Sequence, residues 1–356
     1  MSTGKSLSNV RNRVSSTRDL LRNGMTKRGI ADAVHRGELS RLRLGWYFAN
    51  GGDEDRPEQR HLAAVIAASG ASGQQPVFSH RTAATLHGWP VWSRWLAGEN
   101  AGAAFDEQFI VHVMDPPHGR GSSARQLARH RGVLAQNDVT RVGDFRCTSA
   151  NQTLLDVART EPFPVTLACA DAYLRGQMRV GREIDIESWR AWRTEMLGRA
   201  DAVPRGRGVR AVRALARLAH PLADSPLESV SRLRLLQLGI DVELQVPVRS
   251  DTGGLWYLDF RFKEMPFFGE VDGKAKYLDD SLRGGRTAEE VVLAEKRRHD
   301  WISGTQQLRG LRWGAREVVS ETRFSEFLMA CGVAVPGRAT RAYGAAVAYF
   351  LDRLPH

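Results

Sequence analysis

The stretch WYLDFRFKEMPFFGEVDGKAKY, residues 256–277, sets the character of the C-terminal half. Trp256, Leu258, Phe260 and Phe262 alternate with Tyr257, Asp259, Arg261 and Lys263, the period of a strand with one apolar face. MPFFGEV then predicts a second strand in which Glu270 and Asp272 share a face at i and i+2, with Lys274 following if the strand continues past Gly273. Neighbouring strands would bring Asp259 and Glu270 into one cleft. Carboxylates converging in this way hold a hard cation such as Mg²⁺ or Mn²⁺ through oxygen ligands. Such a cation lowers the pKa of a bound water and neutralises charge developing on a phosphate. A nearby lysine can stabilise the same charge. These are the parts that phosphodiester hydrolysis needs.

Upstream, IDVELQVPVR (240–249) alternates as a half-buried strand, and Ser225-Pro226-Leu227-Glu228 opens a helix that should stop at Gly239. Ser-x-x-Glu is a capping box, so Glu228 is either a helical acid of the site or only a cap. Downstream, EEVVLAEKRRHDWI predicts a helix and Leu308 to Trp313 a shorter strand. Lys296, Arg297 and His299 of that helix point toward a phosphate or simply into solvent. The order helix, three-strand meander, helix, strand rests on SPLES, YLDF, EVDGK and EKRRHDW, between Ser225 and Val319. It is similar to the PD-(D/E)XK nuclease superfamily, most of all to its very-short-patch-repair (Vsr-like) branch. The resemblance implies a metal-dependent endonuclease with Asp259 and Glu270 as metal ligands and Glu228 as the helical acid. Where that motif has lysine, two positions after the acid, this chain has Asp272. Either Lys274 or Lys276 substitutes from a displaced position, or Asp272 is itself a ligand.

The N-terminal fifty residues are strongly basic, with ten Lys/Arg against three Asp/Glu. Thr17 can cap a helix over Arg18–Asn23 that stops at Gly24, and Thr26 a second over Lys27–Arg36 that stops at Gly37. Ile30 and Val34 should face a core, which turns Lys27, Arg28, His35 and Arg36 outward. Leu39–Leu44 alternates as a strand, and Gly45 turns it into another beginning Trp46-Tyr47. Helix, turn, helix and a two-stranded wing describe a winged helix. Its second helix suits the major groove of DNA, and Arg41 and Arg43 on the wing suit the adjacent backbone. Docking onto protein is the competing use. TRDLLRNGMTKRGIADAVHRGELSRLRLGWYFAN (17–50) resembles the N-terminal domain of AbiEi-type antitoxins. FSHRTAATLHGWP (78–90) and CTSANQTLLDVART (147–160) resemble the region that follows it. That resemblance implies operator binding by the winged helix and a cognate nucleotidyltransferase toxin as partner.

The 356 residues carry a net charge of +11. Residues 204–222 hold five arginines and no acid, whereas residues 225–318 balance fifteen charges of each sign. Positive charge thus gathers outside the C-terminal domain, and a first grip on nucleic acid should be N-terminal. No apolar run approaches the ~18 to 20 residues of a membrane span, and the N-terminus lacks a signal sequence, which predicts a cytoplasmic protein with no membrane partner. Cys147, Cys169 and Cys331 lie far apart and form no CxxC pair, as buried small hydrophobes would. In the middle region FIVHVMD (109–115) reads as a core strand. Ser79-His80 with Asp156 lacks the elbow of a serine hydrolase. His80, His87, His112 and His118 show no metal-ligand spacing. PRGRGVRAVRALARLAHP (204–221) places Arg210, Arg213 and Arg217 on one helical face and Val212, Leu215 and Leu218 near another, as in a solvated linker helix or one that meets phosphate. RATRAYGAAVAYFLDRLPH near the C-terminus reads as a packing helix.

The expected architecture is therefore α+β and multidomain. It comprises a winged helix (1–50), an α/β middle domain (58–160), a helical linker (161–222), a restriction-endonuclease-like αβββαβ domain (225–320) and C-terminal helices (321–356). The expected function is DNA binding joined to metal-dependent phosphodiester cleavage, in phage defence or a toxin-antitoxin setting. The alternative is a non-catalytic, antitoxin-like repressor with a degenerate nuclease fold.

Overall fold

A computed structural model describes residues 3–51, 56–73, 75–92, 110–115, 126–272 and 288–354. The chain divides into two compact units, one from residues 1–94 and 100–162, the other from residues 95–99 and 163–356. Each mixes helices with sheet. Among the described residues no helix is long and apolar enough to cross a membrane.

The first unit opens with helix α1 (Thr3–Arg11) and strand β1 (Val14–Ser16). Helix α2 (Thr17–Arg22) is capped by Ser16 rather than Thr17: the Ser16 hydroxyl accepts from the Asp19 amide, and Asp19 accepts from the Ser16 amide. Helix α3 (Lys27–His35) starts at Thr26, whose hydroxyl accepts from the Gly29 amide at 3.0 Å. It buries Ile30 and Ala33, and Val34 is only half-buried, because the i, i+3 ridge rather than the i, i+4 ridge meets the core. Strands β2 (Leu39–Arg43) and β3 (Trp46–Ala49) turn at Gly45, whose φ of +75° suits glycine. β1 takes the free edge of β3, giving an antiparallel sheet ordered β1-β3-β2.

Helix α4 (Pro57–Gly70) follows, with proline in its first turn. Then come β4 (Val77–Phe78), α5 (His80–Leu86), β5 (Val111–Asp115), β6 (Leu127–Arg131), β7 (Val139–Val142), β8 (Phe145–Thr148) and α6 (Ala150–Thr160). The strands form one sheet ordered β6-β5-β4-β8-β7. α4 is apolar on most sides, with Leu62, Ala63, Ala64, Val65, Ala67 and Ala68 all buried. It packs on α1 and the N-terminal sheet as well as on α5. Val10 and Phe48 consequently share one core with Leu62, Val65, Phe78, Val113 and Cys147. The boundary expected near residues 51–57 does not separate two cores.

The second unit runs through α7 (Phe163–Met178), the hairpin β9 (Arg179–Val180) and β10 (Glu183–Ile184), α8 (Ile186–Asp201), α9 (Val209–Leu218) and α10 (Pro226–Gln237). It continues with β11 (Val242–Arg249), β12 (Leu255–Phe262), β13 (Phe267–Val271), α11 (Ala288–Gln306), β14 (Arg309–Trp313), α12 (Ala315–Val318), α13 (Glu321–Ala330) and α14 (Ala345–Leu351). The segment expected as a linker, residues 161–222, is core here. α7 buries Val165, Leu167 and Leu174, and α9 buries Val212, Leu215 and Leu218 with Arg210 exposed. Between α7 and α10 the Arg232 guanidinium reaches both oxygens of Asp171, at 3.0 and 3.2 Å, and both side chains are buried. α14 buries Val347, Ala348 and Leu351, and the Leu351 carbonyl accepts from Gln237 of α10. The expected divisions at 222 and 320 thus fall inside one compact unit.

The sheet of this unit is ordered β11-β12-β13-β14, with antiparallel pairs except for the parallel β13–β14 edge. β12 does not present one apolar face as its alternation suggested. Phe260 stacks on Trp313 and Phe262 lies tilted beside it, whereas Leu258 joins Phe268, Ile302 and Leu308 in a cluster with Val246, Val248 and half-buried Trp256. The irregularity sits at Gln245, which has a left-handed φ of +53° and drops out of the β11–β12 register between the Leu244–Phe260 and Val246–Leu258 pairs. A residue out of the extended conformation breaks the alternation of side chains on either side of it without shifting the register.

Candidate functional site

In the first unit the DNA-directed residues expected from sequence occupy α3 and β2. Lys27 and Arg28 are exposed on the first turn of α3, which carries no acidic residue. That turn also presents the positive end of the helix dipole. Arg41 is exposed and Arg43 half-buried in β2, and Leu44 beside them is 82% exposed. His35 and Arg36 are exposed at the other end of α3, but Arg36 donates two hydrogen bonds to Glu38, of 2.7 and 3.0 Å. Free cationic character therefore concentrates at the start of the helix and on β2.

In the second unit Glu228 is 4% exposed at the first turn of α10. Its amide donates to the Ser225 hydroxyl, and its carboxylate accepts from the Asp224 amide at 2.8 Å, the Ser225 hydroxyl at 3.0 Å and Gln245 at 3.2 Å. It is thus a cap and also a buried acid. Burial, and then the neighbouring Asp259 charge, push its carboxyl up to about 7. Asp259 accepts the Val271 amide at 3.0 Å.

Glu270, expected beside Asp259, is held by arginines. Its Oε1 lies 2.7 Å from Arg298 of α11 without hydrogen-bond alignment, and its Oε2 is 3.4 Å from Arg312 of β14. Arg312 sits opposite Glu270 in the parallel β13–β14 register and also pairs with Glu295 at 2.9 Å. Asp272 is half-buried, and its amide donates to the Trp313 carbonyl at 2.7 Å. Lys274 and Lys276 lie outside the described residues. Of the basic residues expected to reach toward phosphate, Lys296 and Arg297 are exposed and His299 packs against Phe268. The residue that does turn to the acidic site is Arg298, which the sequence pattern did not single out. Its spacing of four from Ile302, which the helix buries, is the signal that could have found it.

A divalent cation fits this arrangement poorly. Both Glu270 oxygens face guanidinium groups, which a cation would have to displace. Among the described residues no group of three His, Cys, Asp or Glu side chains is set to hold a metal ion. Mg²⁺ and Mn²⁺ therefore enter no step derived from the described residues.

Sequence reasoning also missed a third constellation, in the first unit. His80, His112, His130 and Asp156 come from α5, β5, β6 and α6, with no spacing that a sequence scan recognises. Their rings stack, His80 on His130 at 3.6 Å between centroids, and His112 Nδ1 lies 2.9 Å from His130 Nε2. Burial pulls His80 down to about 2 and His112 to about 3, so both imidazoles are neutral at physiological pH. Burial pushes the Asp156 carboxyl the other way, up to about 7. Cys147 and Cys169 are buried, Cys331 half-buried, and all three are free thiols.

No family model matches the sequence. Over 273 residues the chain is 30% identical to the uncharacterized protein Rv2248 of Mycobacterium tuberculosis strain H37Rv, an alignment that covers 74% of this chain and 87% of the relative. The uncharacterized protein MT2308 of strain CDC 1551 / Oshkosh matches with the same 30% identity and the same coverage. With nearly the whole relative aligned, the chain belongs to the family of these uncharacterized mycobacterial proteins.

Proposed function

We propose that the chain is a DNA-binding protein in which residues 14–49 act as a winged helix and α3 enters the major groove. The observation that carries the reading is the pair Lys27 and Arg28, exposed on the capped, acid-free first turn of α3, with exposed Arg41 on β2. Backbone amides and cationic side chains at a helix start suit phosphate oxygens and base edges. In the second unit the order α10-β11-β12-β13-α11-β14 supports an endonuclease-like fold of the Vsr-like type. The ion pairs that Arg298 and Arg312 make with Glu270 favour a regulator over a nuclease. The best-supported reading is thus an antitoxin-like DNA-binding regulator. Relief of a nucleotidyltransferase toxin belongs to the same proposal.

Fluorescence anisotropy of the full chain on duplex DNA over a salt series tests it. Each phosphate that a variant no longer neutralises should lower the slope of log K against log salt by about 0.9, so Lys27→Ala with Arg28→Ala should lower it by about 1.8. Arg36→Ala should change less, since Glu38 already neutralises that side chain. Salt-independent binding, or none at low salt, would refute the reading. A metal-dependent endonuclease is the second reading, favoured by the charge of Asp259 acting on Glu228. Cleavage of supercoiled DNA with Mg²⁺ or Mn²⁺ that Asp259→Ala and Glu270→Ala both abolish would establish it; intact DNA under all conditions would reject it.

A further inference from the structure

The histidine constellation opens into a cavity of about 620 Å³ in the first unit, within the ~300–1,000 Å³ typical of small-molecule sites. Its lining includes His80, His130, Gln152, Asp156, Arg131 and Arg159. Asp156 is 2% exposed; its Oδ1 accepts from Gln152 at 2.9 Å and the His80 backbone amide also bears on the carboxyl, while its buried Oδ2 has no well-aligned hydrogen-bond partner and lies 3.8 Å from His80 Nδ1. His80 itself is held at φ +52°, a left-handed conformation unfavourable for a histidine. An orphaned carboxylate oxygen in a pocket is costly unless something completes it. The group that completes it is a hydrogen-bond donor, a hydroxyl or an amine.

Arginines line the same pocket. Arg159, one helical turn after Asp156 at the end of α6 and near enough for its charge to bear on that carboxyl, and Arg131, at the end of β6, form no salt bridge of 4 Å or less among the described residues. Burial lowers the two imidazoles of the lining, His80 and His130, so the positive charge of the cavity comes from its arginines. Arginines in this position suit a phosphate, whose oxygens take their forked donors.

We propose that this cavity binds a small organic phosphate, its phosphate on Arg159 and Arg131 and its hydroxyl or amino group on Asp156 Oδ2. Nucleoside monophosphates and sugar phosphates share that chemistry. The site is independent of the DNA-binding reading and stands or falls separately.

Isothermal titration of the full chain with AMP, ribose 5-phosphate, inorganic phosphate and adenosine tests the proposal. Saturable binding of AMP or ribose 5-phosphate with Kd below about 1 mM supports it and identifies the source. Adenosine should bind at least about tenfold more weakly than AMP, and Arg159→Ala with Arg131→Ala should weaken the phosphate ligand by about tenfold or more. Asp156→Asn should weaken the organic phosphate and leave inorganic phosphate unchanged. If Asp156→Asn fails to fold by circular dichroism, the surface arginine variants still decide. No saturation by either organic phosphate overturns the assignment, as does binding that the arginine variants leave intact. Inorganic phosphate binding as tightly as the organic ligands overturns it too.

Discussion

Glu228→Gln should flatten the dependence of stability on pH. Glu228 is 4% exposed, and burial followed by the charge of Asp259 pushes its carboxyl from the ordinary 4.5 up to about 7. A carboxyl held that high is harder to ionise in the folded chain than in the unfolded one by about 3 kcal/mol. Between roughly pH 4.5 and 7 the folded state therefore keeps a proton that the unfolded state has released. The contribution of this group is fully present below pH 4.5 and is lost as pH rises through 7. Glutamine cannot ionise, keeps a carbonyl oxygen as acceptor, and turns an amide toward one of the three donors that now meet Glu228. That mismatch should cost about 1 kcal/mol at every pH. Asp156, also pushed up to about 7, titrates alike in both proteins and cancels in the comparison. Chemical denaturation at pH 5 and pH 8, followed by far-UV circular dichroism, reads the difference. Wild type should lose about 2.5 kcal/mol more than Glu228→Gln across that interval. Parallel pH dependences for the two proteins would refute the reasoning.

Asp171→Ala should destabilise the second unit by about 3 to 5 kcal/mol, because it leaves the buried Arg232 guanidinium without its charge partner; a change under about 1 kcal/mol in urea denaturation would show that the pair is not desolvated. Gly269→Ala would put a methyl 2.0 Å from the Trp313 ring and should cost about 1 to 3 kcal/mol with a shift in tryptophan emission; an unchanged midpoint and spectrum would mean that Trp313 does not cover that glycine.

The parts of the fold that were legible in the sequence are those with strong local periodicity. α3 has its capping threonine and its Ile30, β11 and β12 alternate, and α10 announces itself by Ser225, Pro226 and Glu228. α1 was illegible because its sequence is mostly polar, with Leu7 and Val10 meeting the core, and β1 is three residues long. The cap of α2 moved one residue because Ser16 has the extended backbone a cap requires and Asp19 to answer it. At the acidic site, Glu228 and Asp259 were readable as polar exceptions in patterned elements. The arginines at Glu270 were not, since Arg312 reaches it only through a parallel pairing that closes after the α11 crossover. The histidine cluster assembles residues from positions 80, 112, 130 and 156, and no window of sequence contains them together.

The shared core of the first unit bears on how such a protein can be rebuilt. Val10 and Phe48 flank the segment proposed to meet DNA, and they are sealed by Leu62, Val65 and Phe78. Residues 1–50 are thus no cassette that could be cut out, grafted elsewhere or exchanged between relatives with its partners left behind. A recombination joint near residue 51 would open an apolar face on both fragments, because it cuts through the shared core. Hydrogen exchange should accordingly see α3 and α4 lose protection together, as members of one cooperative body.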